Sequence, residues 1–192
     1  MKYILVLLFP FFVNAQSFSN DEIQRYKETA KKVEIITDNY GIPHIYGKSD
    51  ADAVFGLMYV QCKQNFDRVE RNYLEVMGRL AEVDGESALF RDLQMQMIYN
   101  SSEAKKDYGK SPVWLKKLLN AFADGVNYYL YLHPKVQPAV LKKFEPWFPL
   151  MYTDGSISAT QTGGLTITDT KNLYGKGDMA SSFNEPTTDP FE

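Results

Sequence analysis

Apolar residues recur at helical spacing through much of this chain, interrupted once by a short stretch of strict alternation. A first helix is predicted from Ser19, because Glu22 three positions later completes a capping box and Ile23, Tyr26 and Ala30 then share one face. In "KVEIIT" the period drops to two. Val33 and Ile35 alternate with Lys32 and Glu34, which predicts a strand. "DNYG" turns the chain and "IPHIY" predicts a second strand, so residues 33–46 should form a hairpin. Pro43 has no amide proton to give to a ladder, which places the second strand at an edge or a bulge.

The helical period returns at Ser49 and Asp52, which open a long helix carrying Phe55, Val60, Phe66, Val69, Tyr73 and Met77 at helical spacings. It should end near Gly78 or kink around residues 63–65, where the apolar phase drifts. "GRLAEVDGE" reads as a turn-rich connector. Ser111-Pro112 is a helix start, with Trp114, Leu115, Leu118, Phe122, Val126 and Leu130 as the buried face and Pro134 as the stop. "PAVLKKFEPWFPL" predicts a short helix running into an aromatic patch. After Met151 the aliphatic residues thin out. "TDGSISATQTGGLTITDTKNLYGKGDMASSFNEPTTDPFE" is rich in Gly, Ser, Thr and Asp and reads as loop or linker.

The start of the chain changes the picture. Lys2, the apolar run "YILVLLFPFFV" and the small residues up to Ala15 have the layout of a cleaved export signal, residues 1–15, too short for a membrane anchor. The exported chain then begins at Gln16 and holds about 177 residues, one domain of ordinary size. Apolar residues at 44% and aromatics at 14% suffice for a core. A net charge of −3 with acids and bases mixed leaves no nucleic-acid footprint. The single cysteine, Cys62, excludes an internal disulfide, and its helical context predicts a buried, inert thiol.

Candidate chemistry is sparse. His44 is one of two histidines. General-base work would need a hydroxyl or thiol within reach and a carboxylate to orient the ring. The nearby Asp50 and Asp52 fit helix capping better, so His44 reads as a strand histidine bonded to backbone. His133, before Pro134, suits the C-terminus of a helix. Asp67, Glu70, Glu82, Asp84 and Glu86 read as solvated helix-surface charges, and no calcium loop or phosphate-cradling glycine loop is present.

Five blocks of sequence carry a resemblance. "VEIITDNYGIPHIYGKSDADAVFGLMYVQ", "DRVERNYLEVMGRLAEVDGE", "AFADGVNYYL" and "FEPWFPLMY", spanning about residues 33–155, are similar in order and spacing to the α chain of the penicillin acylase family. "NEPTTDPFE" resembles the stretch just before the junction at which that family's precursors cut themselves. Those N-terminal-nucleophile hydrolases include acyl-homoserine lactone acylases and aculeacin-type lipopeptide acylases.

The resemblance implies an α+β protein. When complete it is an α/β/β/α sandwich, and this portion is mostly helical with a small β-hairpin. It implies a precursor of α segment, spacer and β segment that cuts itself so that a serine begins the β chain. The chain then divides into a signal peptide (1–15), an α-subunit domain (16–164) and a spacer (165–192). The nucleophile is expected downstream of Glu192; Ser182, with no β-like sequence after it, is not it. The freed α-amine of such a serine acts as base, so His44 need not be catalytic.

Aligned on Glu145-Pro146 and Gly155, the family's acyl-pocket positions fall on Ile157 and Gln161, with Tyr152 close by. Gln161 stands where an aromatic is often found. Some members use an α-chain glutamate to bind calcium; here Ile167 is aligned, with Asp169 the nearest acid, so no metal or cofactor is expected. The implied partners are a β subunit of the same precursor and an acyl-amide substrate, with no nucleic acid and no membrane after signal cleavage. The implied location is periplasmic or secreted. A stand-alone periplasmic helical binding or interaction module, or an inactive acylase remnant, is the alternative reading.

Overall fold

Ser19 caps the first helix as its spacing predicts. Its hydroxyl accepts from the Glu22 amide at 3.2 Å, and the Glu22 carboxylate accepts from the Ser19 amide at 3.0 Å. The computed structural model describes residues 18–152 and 164–175, so residues 1–15, Ile157, Gln161 and Ser182 lie outside the described residues. In chain order the elements are α1 (Asn20–Ala30), β1 (Val33–Thr37), β2 (Pro43–Gly47), α2 (Asp50–Val76), α3 (Ala81–Asp84) and a 3-10 turn (Gly85–Ala88). After these come α4 (Leu89–Ile98), α5 (Ser101–Lys110), α6 (Val113–Leu132), a second 3-10 turn (Phe148–Met151) and α7 (Ile167–Tyr174). The architecture is mostly helical with one antiparallel hairpin, as predicted.

The hairpin pairs Ile35 with Ile45 and Ile36 with His44. Residues directly opposite share a face, so Val33, Ile35 and Ile45 lie on one side and Ile36, His44 and Tyr46 on the other. The first side rests on α2 at Gly56. A Cβ there would sit 2.7 Å from Val33 Cγ1 and 2.8 Å from Ile45 Cγ2, so only glycine lets the ribbon down onto the helix. Among the described residues the sheet has these two strands only.

The long helices α2 and α6 form the centre. Ser49 caps α2 through the Asp52 amide, and Asn65 interrupts it with extended backbone (φ −163°, ψ 89°). The Asn65 side chain accepts from the Arg68 amide at 2.9 Å, so the helix is capped afresh after the predicted kink. Gly125 of α6 lies against the Phe55 carbonyl and Met58 of α2, where a side chain would strike main chain. Around this crossing are buried Met58, Cys62, Phe66, Val69, Phe122, Val126 and Leu130. A smaller cluster of Tyr26, Phe55 and Ala121 joins α1 to both.

Four expectations change. Residues 139–147 form no helix; prolines at 138 and 146 leave room only for the 3-10 turn beyond them. The stretch read as a connector coils into α3 and a 3-10 turn, with α4 and α5 after it. Trp114, expected in the buried face of α6, is 64% exposed, because burial on that helix begins in earnest at Leu119. Residues 167–174, read as linker, form α7, started by a capping box between Thr166 and Asp169. That helix lies on α4: Thr170 is fully buried, Gln94 donates a side-chain bond to the Leu165 carbonyl, and Lys171 sits over the Phe90 ring.

Candidate functional site

His44 stands on the outer face of β2, half exposed. Its Nε2 lies 3.1 Å from Asp38 Oδ2, so its partner is a carboxylate and not the expected backbone group. Asp38 also accepts through Oδ1 from the amides of Tyr40 and Ile42, both at 2.9 Å. The Ile42 amide first, then His44, hold the Asp38 carboxyl below its usual range. One acid thus shapes the turn and orients the ring. Among the described residues no hydroxyl or thiol bonds to that ring, so the pair lacks a nucleophile. His133 is likewise occupied: its Nδ1 is 2.8 Å from the Tyr129 carbonyl and its ring stacks on Tyr129 at 4.3 Å.

The acids read as solvated surface charges divide. Asp84 and Glu82 are exposed partners of Arg71 and Arg79, in paired bonds of 2.5 to 2.9 Å. Glu70 is different. It is 3% exposed, and its carboxylate accepts from the amides of Ala139, Val140 and Leu141. A cleft of about 320 Å³ beside it is lined by Asp67, Arg71, Leu74, Val83 and Gln137 and offers no free nucleophile. Cys62 is fully buried, and burial pushes its thiol up to about 12, which leaves it protonated and inert.

Among the described residues, no three His, Cys, Asp or Glu side chains are grouped to hold a metal ion. Ile167 offers no side-chain oxygen, and the Asp169 carboxylate accepts from the Thr166 amide at 2.9 Å and hydroxyl at 2.6 Å.

Of the three expected pocket residues, Tyr152 is described. It is 52% exposed and ends a file of touching rings. Tyr73 stands at the middle of that file, with centroids 5.3 Å from Phe122, 5.9 Å from Phe144, 6.3 Å from Phe148 and 6.2 Å from Tyr152. Burial pushes the Tyr73 hydroxyl well above its ordinary range, so it is no acid or base at neutral pH. Among the described residues these rings form one continuous packed file that reaches the surface at Tyr152.

The hairpin presents a second feature. Its outer face carries Ile36 at 50% and Tyr46 at 57% exposure, with Ile42 and Tyr40 exposed beside the turn. Glu34 and His44 share that face, so the exposed apolar groups form a mixed surface of the kind that takes part in contacts. No helix among the described residues is long and apolar enough to cross a membrane.

Comparison with known proteins agrees with the sequence blocks. The model of the penicillin amidase family matches residues 32–176. An acyl-homoserine lactone acylase, QuiP, of Pseudomonas fluorescens is 32% identical over 131 residues, which is 66% of this chain and 16% of that protein. A penicillin acylase 2 proenzyme from a Pseudomonas species is 29% identical over 98 residues, 51% of this chain and 13% of its own. The thermostable penicillin G acylase of Alcaligenes faecalis shares the fold, with a TM-score of 0.59 at 18% identity, covering 83% of this chain and 95% of the matched chain. This chain thus spans about a sixth of the length of the acylase first named.

Proposed function

This chain belongs to the penicillin amidase family, and on that footing we propose that it is the α-subunit portion of an exported amidohydrolase. The complete enzyme removes an acyl group from a linear amide of β-lactam, N-acyl-homoserine lactone or lipopeptide type. The observation that carries the reading is the family match over residues 32–176 in a chain that spans 16% of a matching acylase. The geometry is in keeping with that division of labour. An aromatic file ends at an exposed Tyr152, and the hairpin exposes Ile36 and Tyr46, while among the described residues no nucleophile bonds to His44.

In this reading residues 1–15 are a signal peptide and the protein works in the periplasm or outside the cell. A downstream β segment covers the hairpin and opens, after self-cleavage of the precursor, with the serine nucleophile. Its own α-amine takes the hydroxyl proton, the hydroxyl oxygen attacks the amide carbonyl, the amine leaves, and water releases the acyl group. Tyr152, Ile157 and Gln161 belong to the acyl pocket. No metal or cofactor takes part. The spacer lies within residues 165–192, and its first part includes α7, which packs on α4.

Reading the coding sequence past Glu192 tests this cheaply. A Gly-Ser-Asn junction within a few codons, continuing into several hundred residues, supports the acylase. An immediate genuine stop codon overturns it in favour of a stand-alone module or a remnant.

A further inference from the structure

Between the end of α6 and the Phe148–Met151 turn the main chain forms no helix or strand, and prolines at 134, 138 and 146 keep it from doing so. Its buried amides must find partners elsewhere. Two buried side chains supply them, one from each central helix. The Glu70 carboxylate accepts from Ala139, Val140 and Leu141 at 2.9, 2.8 and 2.7 Å. The Asn127 amide closes a two-bond ring with Phe144, accepting from its N–H at 2.8 Å and donating to its carbonyl at 2.9 Å. Glu70 and Asn127 are 3% and 2% exposed. Both act on main chain, and the Asn127 side chain also faces the Tyr26 hydroxyl.

The clamped segment leads directly into the aromatic file. The Phe144 ring meets Tyr73 edge-on, at 5.9 Å and 87°, and lies 5.6 Å from Phe148. Phe148 and Tyr152 both touch Tyr73. Through Tyr73 the clamped segment is thus in ring-to-ring contact with Tyr152, a packed path by which a shift at residues 139–144 can reach it.

We infer that Glu70 and Asn127 are positioning residues for acyl selectivity: from two helices they clamp residues 139–144 and so fix the aromatic file that ends at Tyr152. The inference rests on the acylase reading above. Neither residue touches the substrate. Their effect is on where the pocket wall stands.

The test uses the full-length precursor as wild type, Glu70→Gln and Asn127→Asp, with Phe55→Leu in the smaller cluster as a control for lost stability alone. Glu70→Gln keeps the volume but turns an NH2 toward one of the amides; Asn127→Asp keeps the acceptor and removes the donor. Two quantities are read: the ratio of kcat/KM on phenylacetyl and dodecanoyl p-nitroanilide, and amide hydrogen exchange at residues 139–144. Both clamp variants are expected to exchange faster there and to shift the ratio by about tenfold, the scale of one methylene gained or lost in an apolar pocket. Phe55→Leu is expected to lower stability and leave the ratio alone. Faster exchange with an unchanged ratio overturns the positioning role, unchanged exchange overturns the clamp, and an equal shift in Phe55→Leu overturns the specificity of the effect. A wild-type precursor inactive on both anilides overturns the acylase reading itself, and with it the role in selectivity; that failure shows before any variant is compared.

Discussion

Tyr26 is fully buried, and among the described residues its hydroxyl makes no well-formed hydrogen bond, with the Asn127 side chain as its polar neighbour. Burial first, and the nearby Asp124 carboxylate second, push that hydroxyl well above the ordinary tyrosine range. The ring itself is well placed, edge-on to Phe18 at 6.0 Å and near Tyr128 at 6.3 Å. Tyr26→Phe keeps those contacts and removes an uncompensated polar group, so it is expected to raise stability by up to about 1 kcal/mol. Urea unfolding checks this, and a clear loss of stability would show that the hydroxyl has a partner. Glu22 shows the opposite case. The Lys143 ammonium, 2.6 Å away, is the main cause that lowers its pKa from 4.5 to about 2, and Ser19 adds to it. The sign comes from linkage: a depressed carboxylate stabilises the fold above its unfolded pKa, and that stability is lost as pH falls from about 4.5 to about 2. Lys143→Met should therefore be less stable than wild type near neutral pH, with the difference shrinking across that window in acid titrations monitored by circular dichroism. A difference that stays constant down to the lower limit contradicts the pairing.

At the scale of elements, the close approach of α2 and α6 depends on Gly125. A methyl group there would strike the Phe55 carbonyl and crowd Met58 Cβ at 3.1 Å, so the helices must part. Gly125→Ala is expected to destabilise by about 1–3 kcal/mol, the usual cost of overpacking, and thermal unfolding reads it directly. Elements were legible where local grammar sufficed. The Ser19–Glu22 box, the Ser49 cap, the hairpin turn and the phase drift before Asn65 all act within a few residues. Helices α5 and α7 obey the same grammar, through Asn100 with Glu103 and Thr166 with Asp169. The polar composition around them hid it, because a composition average weighs a cap no more than any other polar residue. Glu70 was illegible for another reason: its partners lie 69 to 71 residues away, and only the tertiary path brings them to it.

For the whole molecule, identity was readable from the sequence blocks, while the site was readable only in part. The aligned pocket positions Ile157 and Gln161 lie outside the described residues, and of the three aligned positions Tyr152 alone is described. The described residues form a helical body, a hairpin with exposed Ile36 and Tyr46, and an aromatic file, and the His44–Asp38 pair shapes a turn. On the reading proposed above, this chain supplies architecture to an acylase and none of its reacting groups. Hydrolysis of phenylacetyl and dodecanoyl p-nitroanilide by purified residues 16–192, beside the full-length precursor, decides that point. No turnover is expected from residues 16–192, and turnover is expected from the precursor after it has cut itself ahead of a serine. Turnover by residues 16–192 alone would mean that a reacting group lies within this chain after all.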